Sequence, residues 1–194
     1  VLSRGLGDVY KRQDLGKSVN KEFNIEGNPI DKFIDLVLHI KPTQVTLVPD
    51  EINAITSNAG WNTKKHWNYL KSIIDEFKKA QIRTSIFVDP NPEMVEYAKK
   101  TGTDRIELYT EKFAKKYEMG ELSSIEAYAA CSSLAHELEI GVNAGHDLSL
   151  QNIEFFAKKM PYLEEVSIGH ALISESIYLG IDNVINLYID KLNR

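Results

Sequence analysis

The chain has 194 residues, of which 43% are hydrophobic and 26% charged, so its composition is that of a globular protein and its length suits one domain. Its net charge of −5, without basic runs interleaved with aromatic residues, makes nucleic acid and anionic membranes unexpected partners. A single cysteine excludes a disulfide framework, and no apolar run reaches the ~18–20 residues of a membrane span, so we expect a cytoplasmic protein.

Short β-rich runs alternate with longer amphipathic segments along most of the chain. The β-rich runs predict strands at 19–27, 44–50, 82–90, 104–110, 140–146 and 164–170. The amphipathic segments predict helices at 29–40, 63–80, 92–102, 122–138, 149–159 and about 174–192. A longer loop is expected between Thr110 and about Gly120. The lone Cys131 falls in a predicted helix, where we expect it to be a small buried residue.

This alternation predicts a parallel sheet with helices outside it, either doubly wound or closed as a barrel. The predicted strands end in polar residues, namely Glu26, Asp50 with Thr56, Asp89, Glu107 with Thr110, His146 and His170. A TIM (β/α)₈ barrel assembles its active site from such strand ends, whereas a doubly wound sheet concentrates it at one switch point. We therefore expect an α/β fold of the TIM type, of which six βα units are present, the third to the eighth.

The first residues do not fit this pattern. The stretch VLSRGLGDVYKRQ (1–13) has no usable period and clusters basic residues. We interpret 1–13 as a non-native or disordered leader and 14–194 as a partial TIM-barrel domain.

Two of the strands end in Gly-His. Gly145 precedes His146, and Gly169 precedes His170. The turns after strands seven and eight of a barrel commonly present backbone N–H groups to a phosphate, although both glycines could equally be turn residues only. His146 is the candidate proton donor or acceptor, because imidazole titrates near neutral pH. For Asp147 we expect a role in capping the following helix.

Acidic residues on two other strands are candidates for proton transfer. A shielded carboxyl such as Glu26 can act as a general base, although a structural ion pair is an open alternative. For Glu107, a salt bridge across the core is at least as plausible as catalysis. A metal held by these glutamates and the two histidines is not favoured, since their spacing forms no HxH or HxxxH cluster. No predicted strand ends in a lysine that could form a Schiff base.

The segments KPTQVTLVPD, SIFVDPNPE, DRIELYT, GVNAGHDLSLQNI and EVSIGHALISESIYLGI resemble the pyridoxine 5′-phosphate synthase family from about Asn20 to the C-terminus. The resemblance implies a (β/α)₈ barrel that forms a homo-octamer and needs neither a metal nor an organic cofactor. Its implied reaction condenses 1-deoxy-D-xylulose 5-phosphate with 3-amino-2-oxopropyl phosphate, giving pyridoxine 5′-phosphate, inorganic phosphate and water.

The resemblance also implies roles for individual residues. Glu26 would be a general base and His146 a proton donor. The implied substrate- and phosphate-binding residues are Thr56, Asp147 (through its backbone N–H), Gly169 and His170.

The polar motifs of the family's first two strands have no counterpart here, so we expect a truncated synthase that is inactive or poorly folded alone. Two alternatives remain open. One is another phosphosugar TIM-barrel enzyme, and the other is a non-catalytic phosphate-binding module.

Overall fold

The computed structural model describes residues 18–50 and 57–193. Strands and helices alternate throughout these ranges. In chain order the elements are β1 (Asn24–Gly27), α1 (Asp31–Ile40), β2 (Gln44–Leu47), α2 (Thr63–Lys79), β3 (Arg83–Val88), α3 (Pro92–Thr101), β4 (Arg105–Tyr109), α4 (Glu111–Glu118), a 3₁₀ turn (Leu122–Ser124), α5 (Ile125–Glu137), β5 (Gly141–Gly145), α6 (Ile153–Lys159), β6 (Leu163–Ser167), α7 (His170–Leu179) and α8 (Ile181–Leu192).

The strands form one parallel sheet in sequential order, β1-β2-β3-β4-β5-β6. The register pairs Glu26 with Thr46 and Tyr109 with Gly145, so the carboxyl ends of the strands lie along one edge. Within the described ranges, β1 and β6 each pair on one side only. This topology confirms the predicted α/β fold with a parallel sheet.

An ion pair across the sheet shows that the sheet is strongly curved. Arg83 on β3 and Glu165 on β6 approach to 3.6 Å between Nη2 and Oε2, although two strands lie between them. Neighbouring strands are about 4.8 Å apart, so the backbones of β3 and β6 in a flat sheet would be separated by about 14 Å. The sheet therefore curls into a partial barrel with a concave inner face.

The two faces of the sheet differ in polarity because side chains alternate along each strand. The outward positions form the main hydrophobic core with the helices, and include Ile25, Val45, Leu47, Ile86, Val88, Ile106, Leu108, Val142 and Ala144. The inward positions are mostly polar, and include Asn24, Glu26, Thr46, Ser85, Arg105, Glu107, Asn143 and Ser167. The concave face is thus the side on which polar chemistry can occur.

Two predictions about helices were wrong. The expected loop after Thr110 contains helix α4, in which Phe113 and Ala114 are buried and a Glu111–Lys115 ion pair spans one turn. The expected terminal helix is two helices, because Gly180 adopts φ 80° and ψ 140°, which interrupts the helical backbone.

Other features of the helices match the sequence. Cys131 lies fully buried in α5, and burial raises the pKa of its thiol to about 11. None of the helices in the described ranges is both long enough and apolar enough to cross a membrane.

Candidate active site

Three predicted site residues converge at the carboxyl edge of the concave face. Glu26 lies on β1, Glu107 on β4, and His146 follows β5 directly. Their charges interact, since Glu26 is influenced by His146 and Glu107 by Glu26. The curvature of the sheet therefore brings together groups that are 120 positions apart in the chain.

The Glu26 carboxyl lies at the open edge of the concave face of the sheet, which is called the groove below. It is a weaker acid than an ordinary glutamate. Its side chain is exposed on the open side, but the walls of the groove still remove part of its hydration. This desolvation raises the pKa of the Glu26 carboxyl, the negative charge of Asp50 raises it further, and the imidazole of His146 acts in the opposite direction. A carboxylate of raised pKa is a stronger base than an ordinary glutamate.

Glu107 is the most deeply buried acid of the site, with 2% of its surface exposed. Desolvation raises its pKa well above the ordinary value, the charge of Glu26 adds to this, and a hydrogen bond with Ser167 partly offsets it. Its Oε2 atom is buried and has no hydrogen-bond partner in the described part of the chain. The raised pKa shifts the equilibrium towards the protonated form, whose O–H group is a hydrogen-bond donor.

The sheet interior does contain a salt-bridge network, but Glu107 takes no part in an ion pair among residues 18–50 and 57–193. The network lies nearer the amino ends of the strands, where Arg105 pairs with Glu164 at 2.6 Å and with Glu165. Asn143 also donates to Glu165, at 2.9 Å. The salt bridges across the core are therefore formed by Glu165 with Arg83 and Arg105, and not by Glu107 as expected.

The backbone around His146 is strained and held in place. His146 has φ 84° and Asp147 φ 57°, which is the left-handed region that side chains disfavour. Thr110, fully buried at the end of β4, donates its backbone N–H to the Gly145 carbonyl at 2.9 Å and its hydroxyl at 2.7 Å. The same hydroxyl contacts the His146 carbonyl. These contacts fix the direction in which the imidazole leaves the backbone.

The imidazole itself contacts two neighbouring side chains. Its Nδ1 lies 3.1 Å from Oδ2 of Asp147, and the Tyr109 ring meets it edge-to-face with centroids 4.9 Å apart. The His146 side chain retains 18% exposure, so it remains accessible from the groove. An imidazole held in this way can exchange a proton with a bound molecule.

The predicted capping role of Asp147 was wrong. Helix α6 begins at Ile153, its N-cap position is Asn152, and no side chain caps it. The intervening turn is held by Asn152, which donates to the Asp147 carbonyl at 3.2 Å. The Asp147 carboxylate points instead to His146.

The second Gly-His pair lies beside the first at the same edge. Gly145 pairs with Ser167, so Gly169 and His170 follow the neighbouring strand closely. Both are exposed, and His170 is the first residue of the ten-residue helix α7. The first N–H groups of a helix lack intrahelical acceptors, so this end can bind an anion.

The loop after β2 contributes through Asp50 and Ser57, which lie on either side of residues 51–56. Thr56 lies outside the described residues. Next to it, Ser57 donates its hydroxyl to Asp50 at 2.5 Å, and its carbonyl accepts a hydrogen bond from the Tyr109 hydroxyl at 3.0 Å. Asp50 therefore links this loop to Glu26, whose pKa it raises.

Sequence reasoning overlooked Tyr109 and Ser167. Both occupy inward positions on strands, two residues after Glu107 and Glu165 respectively. The two-residue period of a strand would have placed each of them on the inner face. In the described ranges, no group of three histidine, cysteine, aspartate or glutamate side chains is arranged to hold a metal ion.

A family model described as "Pyridoxal phosphate biosynthesis protein PdxJ" matches residues 8–194. Several curated relatives carry the name pyridoxine 5′-phosphate synthase. The protein from Flavobacterium johnsoniae is 63% identical over 180 residues, which cover 93% of this chain and 76% of that relative. The protein from Cytophaga hutchinsonii is 54% identical over 187 residues, covering 96% of this chain and 77% of the relative.

Solved structures share the fold at low sequence identity. The 3-keto-L-gulonate-6-phosphate decarboxylase from Vibrio cholerae superposes with a TM-score of 0.67 at 9% identity, covering 96% of this chain and 79% of that one. The citrate synthase variant SbnG E151Q superposes with a TM-score of 0.57 at 12% identity, covering 95% and 76%. At such identities the likeness concerns the fold alone.

Proposed function

Because the chain belongs to the family described as pyridoxal phosphate biosynthesis protein PdxJ, we propose that it acts in the synthesis of pyridoxine 5′-phosphate. The substrates would be 1-deoxy-D-xylulose 5-phosphate and 3-amino-2-oxopropyl phosphate, and the products pyridoxine 5′-phosphate, inorganic phosphate and water. The observation that carries the proposal is the convergence of Glu26, Glu107 and His146 on one concave polar face.

The proposed chemistry is proton transfer around a condensation. Ring closure from an amine and a ketone requires protons to leave carbon and nitrogen and to reach departing oxygen atoms. Glu26, with its raised pKa, is the proposed base. His146 is the proposed donor, because its imidazole remains accessible and its backbone is fixed by Thr110. The protonated form of Glu107 would stabilise developing negative charge by a hydrogen bond.

The proposed phosphate contacts lie on the two turns that follow β5 and β6. The backbone N–H groups of Asp147, Gly169 and His170 would bind phosphate oxygens, helped by the amino end of α7. Thr56 would contact substrate from the loop after β2. In an eight-stranded barrel such turns follow strands seven and eight, so we assign β1–β6 to units three to eight. Homo-octamer formation and a cytoplasmic location belong to the same proposal.

The test is formation of pyridoxine 5′-phosphate from the two substrates. Mass spectrometry detects this product, and the release of inorganic phosphate is measured in the same reaction. The chain should be assayed alone and with the first two βα units of the Flavobacterium johnsoniae relative joined to it. We expect product from the extended chain and a fall in kcat of about 100-fold or more in Glu26→Gln and in His146→Asn.

Matched controls separate catalysis from folding. Glu96→Gln and His39→Asn change the same residue types at exposed helical positions, and we expect them to retain activity. An extended chain that folds but forms no product would overturn the assignment. Phosphate binding by that inactive chain would favour the non-catalytic phosphate-binding module. If the extended chain is active but a chelator abolishes its activity, a metal-assisted phosphosugar enzyme is favoured instead.

A further inference from the structure

Tyr109 joins His146 to the loop that follows β2. On the basis of the function proposed above, we propose that Tyr109 is a positioning residue, which holds the His146 imidazole with its ring and anchors the loop at Ser57 with its hydroxyl. Tyr109 acts through these two neighbours and not on the reacting atoms.

The Tyr109 ring is buried and packs against two neighbouring rings. Tyr109 is 2% exposed and packs with Val48 and Phe87 in a small apolar cluster on the concave face. The Phe87 ring lies 5.1 Å from the Tyr109 ring, centroid to centroid. On its other side, the ring meets the His146 imidazole at 4.9 Å and an interplanar angle of 85°. An edge-to-face contact of this kind limits rotation of the imidazole.

The Tyr109 hydroxyl is hydrogen-bonded to the loop that follows β2. It donates to the Ser57 carbonyl at 3.0 Å, and Ser57 in turn donates to the Asp50 carboxylate. The Asp50 carbonyl accepts a hydrogen bond from Asn28 at 2.8 Å. Desolvation and nearby acidic groups raise the pKa of Tyr109 to about 12, so the phenol keeps the proton that it donates.

This chain of contacts connects the two sides of the candidate site. At one end stands His146, the proposed proton donor. At the other end stands Asp50, whose charge raises the pKa of the proposed base Glu26. Loss of the Tyr109 ring should therefore disturb the donor, whereas loss of the hydroxyl alone should disturb the loop.

The two halves can be separated with Tyr109→Leu and Tyr109→Phe. The first removes the ring, and the second keeps the ring but removes the hydrogen bond to Ser57. Tyr69→Phe is a matched control. Tyr69 lies on helix α2, and its hydroxyl donates to the Pro29 carbonyl at 2.8 Å. The measurements are the NMR resonances of the His146 ring, the hydrogen exchange of the Gly60 amide, and kcat and KM in the synthase assay. The Gly60 amide donates to Asp89 at 3.3 Å and reports on the loop.

We expect Tyr109→Leu to shift the His146 resonances and to lower kcat by about 10- to 100-fold. We expect Tyr109→Phe to leave those resonances in place, to speed Gly60 exchange by about 5-fold, and to raise KM more than it lowers kcat. Tyr69→Phe should change none of these quantities.

Unchanged His146 resonances in a folded Tyr109→Leu chain, or unchanged Gly60 exchange in Tyr109→Phe, would overturn the positioning role. If Tyr109→Leu does not fold, Tyr109→Phe decides by the exchange rate. If the extended chain with the native Tyr109 folds but forms no product, the proposed function fails, while the resonances and the exchange rate still decide the role of Tyr109.

Discussion

The carboxyl group of Glu107 fills the space that a side chain at position 145 would need. Oε1 of Glu107 lies closer to the ideal Cβ position of Gly145 than real Cβ contacts allow, and Cβ of Ser167 lies 2.9 Å from it on the other side. Gly145 does not have a positive φ, so conformation does not demand glycine here. The glycine of the first Gly-His pair is required by the packing of a buried acid.

Replacing Gly145 by alanine should therefore destabilise the fold. The added methyl group would push the Glu107 carboxyl out of its buried position or separate β5 from its neighbours. We expect Gly145→Ala to lower the free energy of unfolding by about 1–3 kcal/mol, as overpacked cores usually do. Urea denaturation followed by circular dichroism measures this loss.

The other Gly-His pair supplies the control. An ideal Cβ at Gly169 meets no atom within 4 Å, so Gly169→Ala should change the free energy of unfolding by about 0.5 kcal/mol or less. Equal losses in the two variants would mean that Glu107 can move aside without cost.

Burial of Glu107 predicts a pH dependence of stability. Its pKa in the folded chain lies well above 4.5, the ordinary value for a glutamate, which applies in the unfolded chain. Between these two values the folded chain binds more protons, so its free energy of unfolding falls as the pH rises through the window. We expect Glu107→Gln to remove this fall. Urea denaturation from about pH 4 to about pH 8 compares the two proteins.

The difference between the wild-type and variant free energies should be most favourable to the wild type at the acid end. Parallel curves for the two proteins would contradict the prediction. Glu26→Gln provides a second check, because the charge of Glu26 contributes to the raised pKa of Glu107. Removal of the Glu26 charge should narrow the pH range over which the free energy of unfolding falls, without abolishing that fall.

The sequence predicted the parallel sheet and the edge at which polar residues collect, and it did so for a simple reason. Strand–helix alternation and polar residues at strand ends are local features, and a parallel sheet brings strand ends to one edge. A local signal was also present for α4, since Phe113, Ala114 and the Glu111–Lys115 pair follow helical spacing, but the prediction of a loop missed it. Its charged residues made it resemble a loop.

Other features depend on contacts that spacing does not reveal. The need for glycine at 145 arises from Glu107, 38 positions earlier, and the position of His146 depends on Tyr109 and Thr110. The capping role expected for Asp147 failed because the chain makes a further turn before α6 begins at Ile153. In each case the deciding contact joins two strands or a strand and a turn.

Thr110 offers a test of how far the backbone of His146 matters. In Thr110→Val the side chain keeps its shape but loses the hydroxyl that donates to Gly145 at 2.7 Å and contacts the His146 carbonyl. We expect a loss of stability of about 1–2 kcal/mol, because a buried acceptor loses a partner. We also expect kcat in the synthase assay to fall by about 10- to 100-fold, because the left-handed His146 backbone is no longer clamped.

Thr101→Val separates these two effects. Thr101 is also fully buried, and its hydroxyl donates to the Ala98 carbonyl at 2.6 Å within helix α3, so the cost in stability should be similar. No residue of the candidate site depends on that hydrogen bond, and kcat should remain at the wild-type value. If both variants lost activity to the same extent, the loss would follow from lower stability alone. A loss confined to Thr110→Val would instead show that the strained turn at His146 must be held for proton transfer to occur.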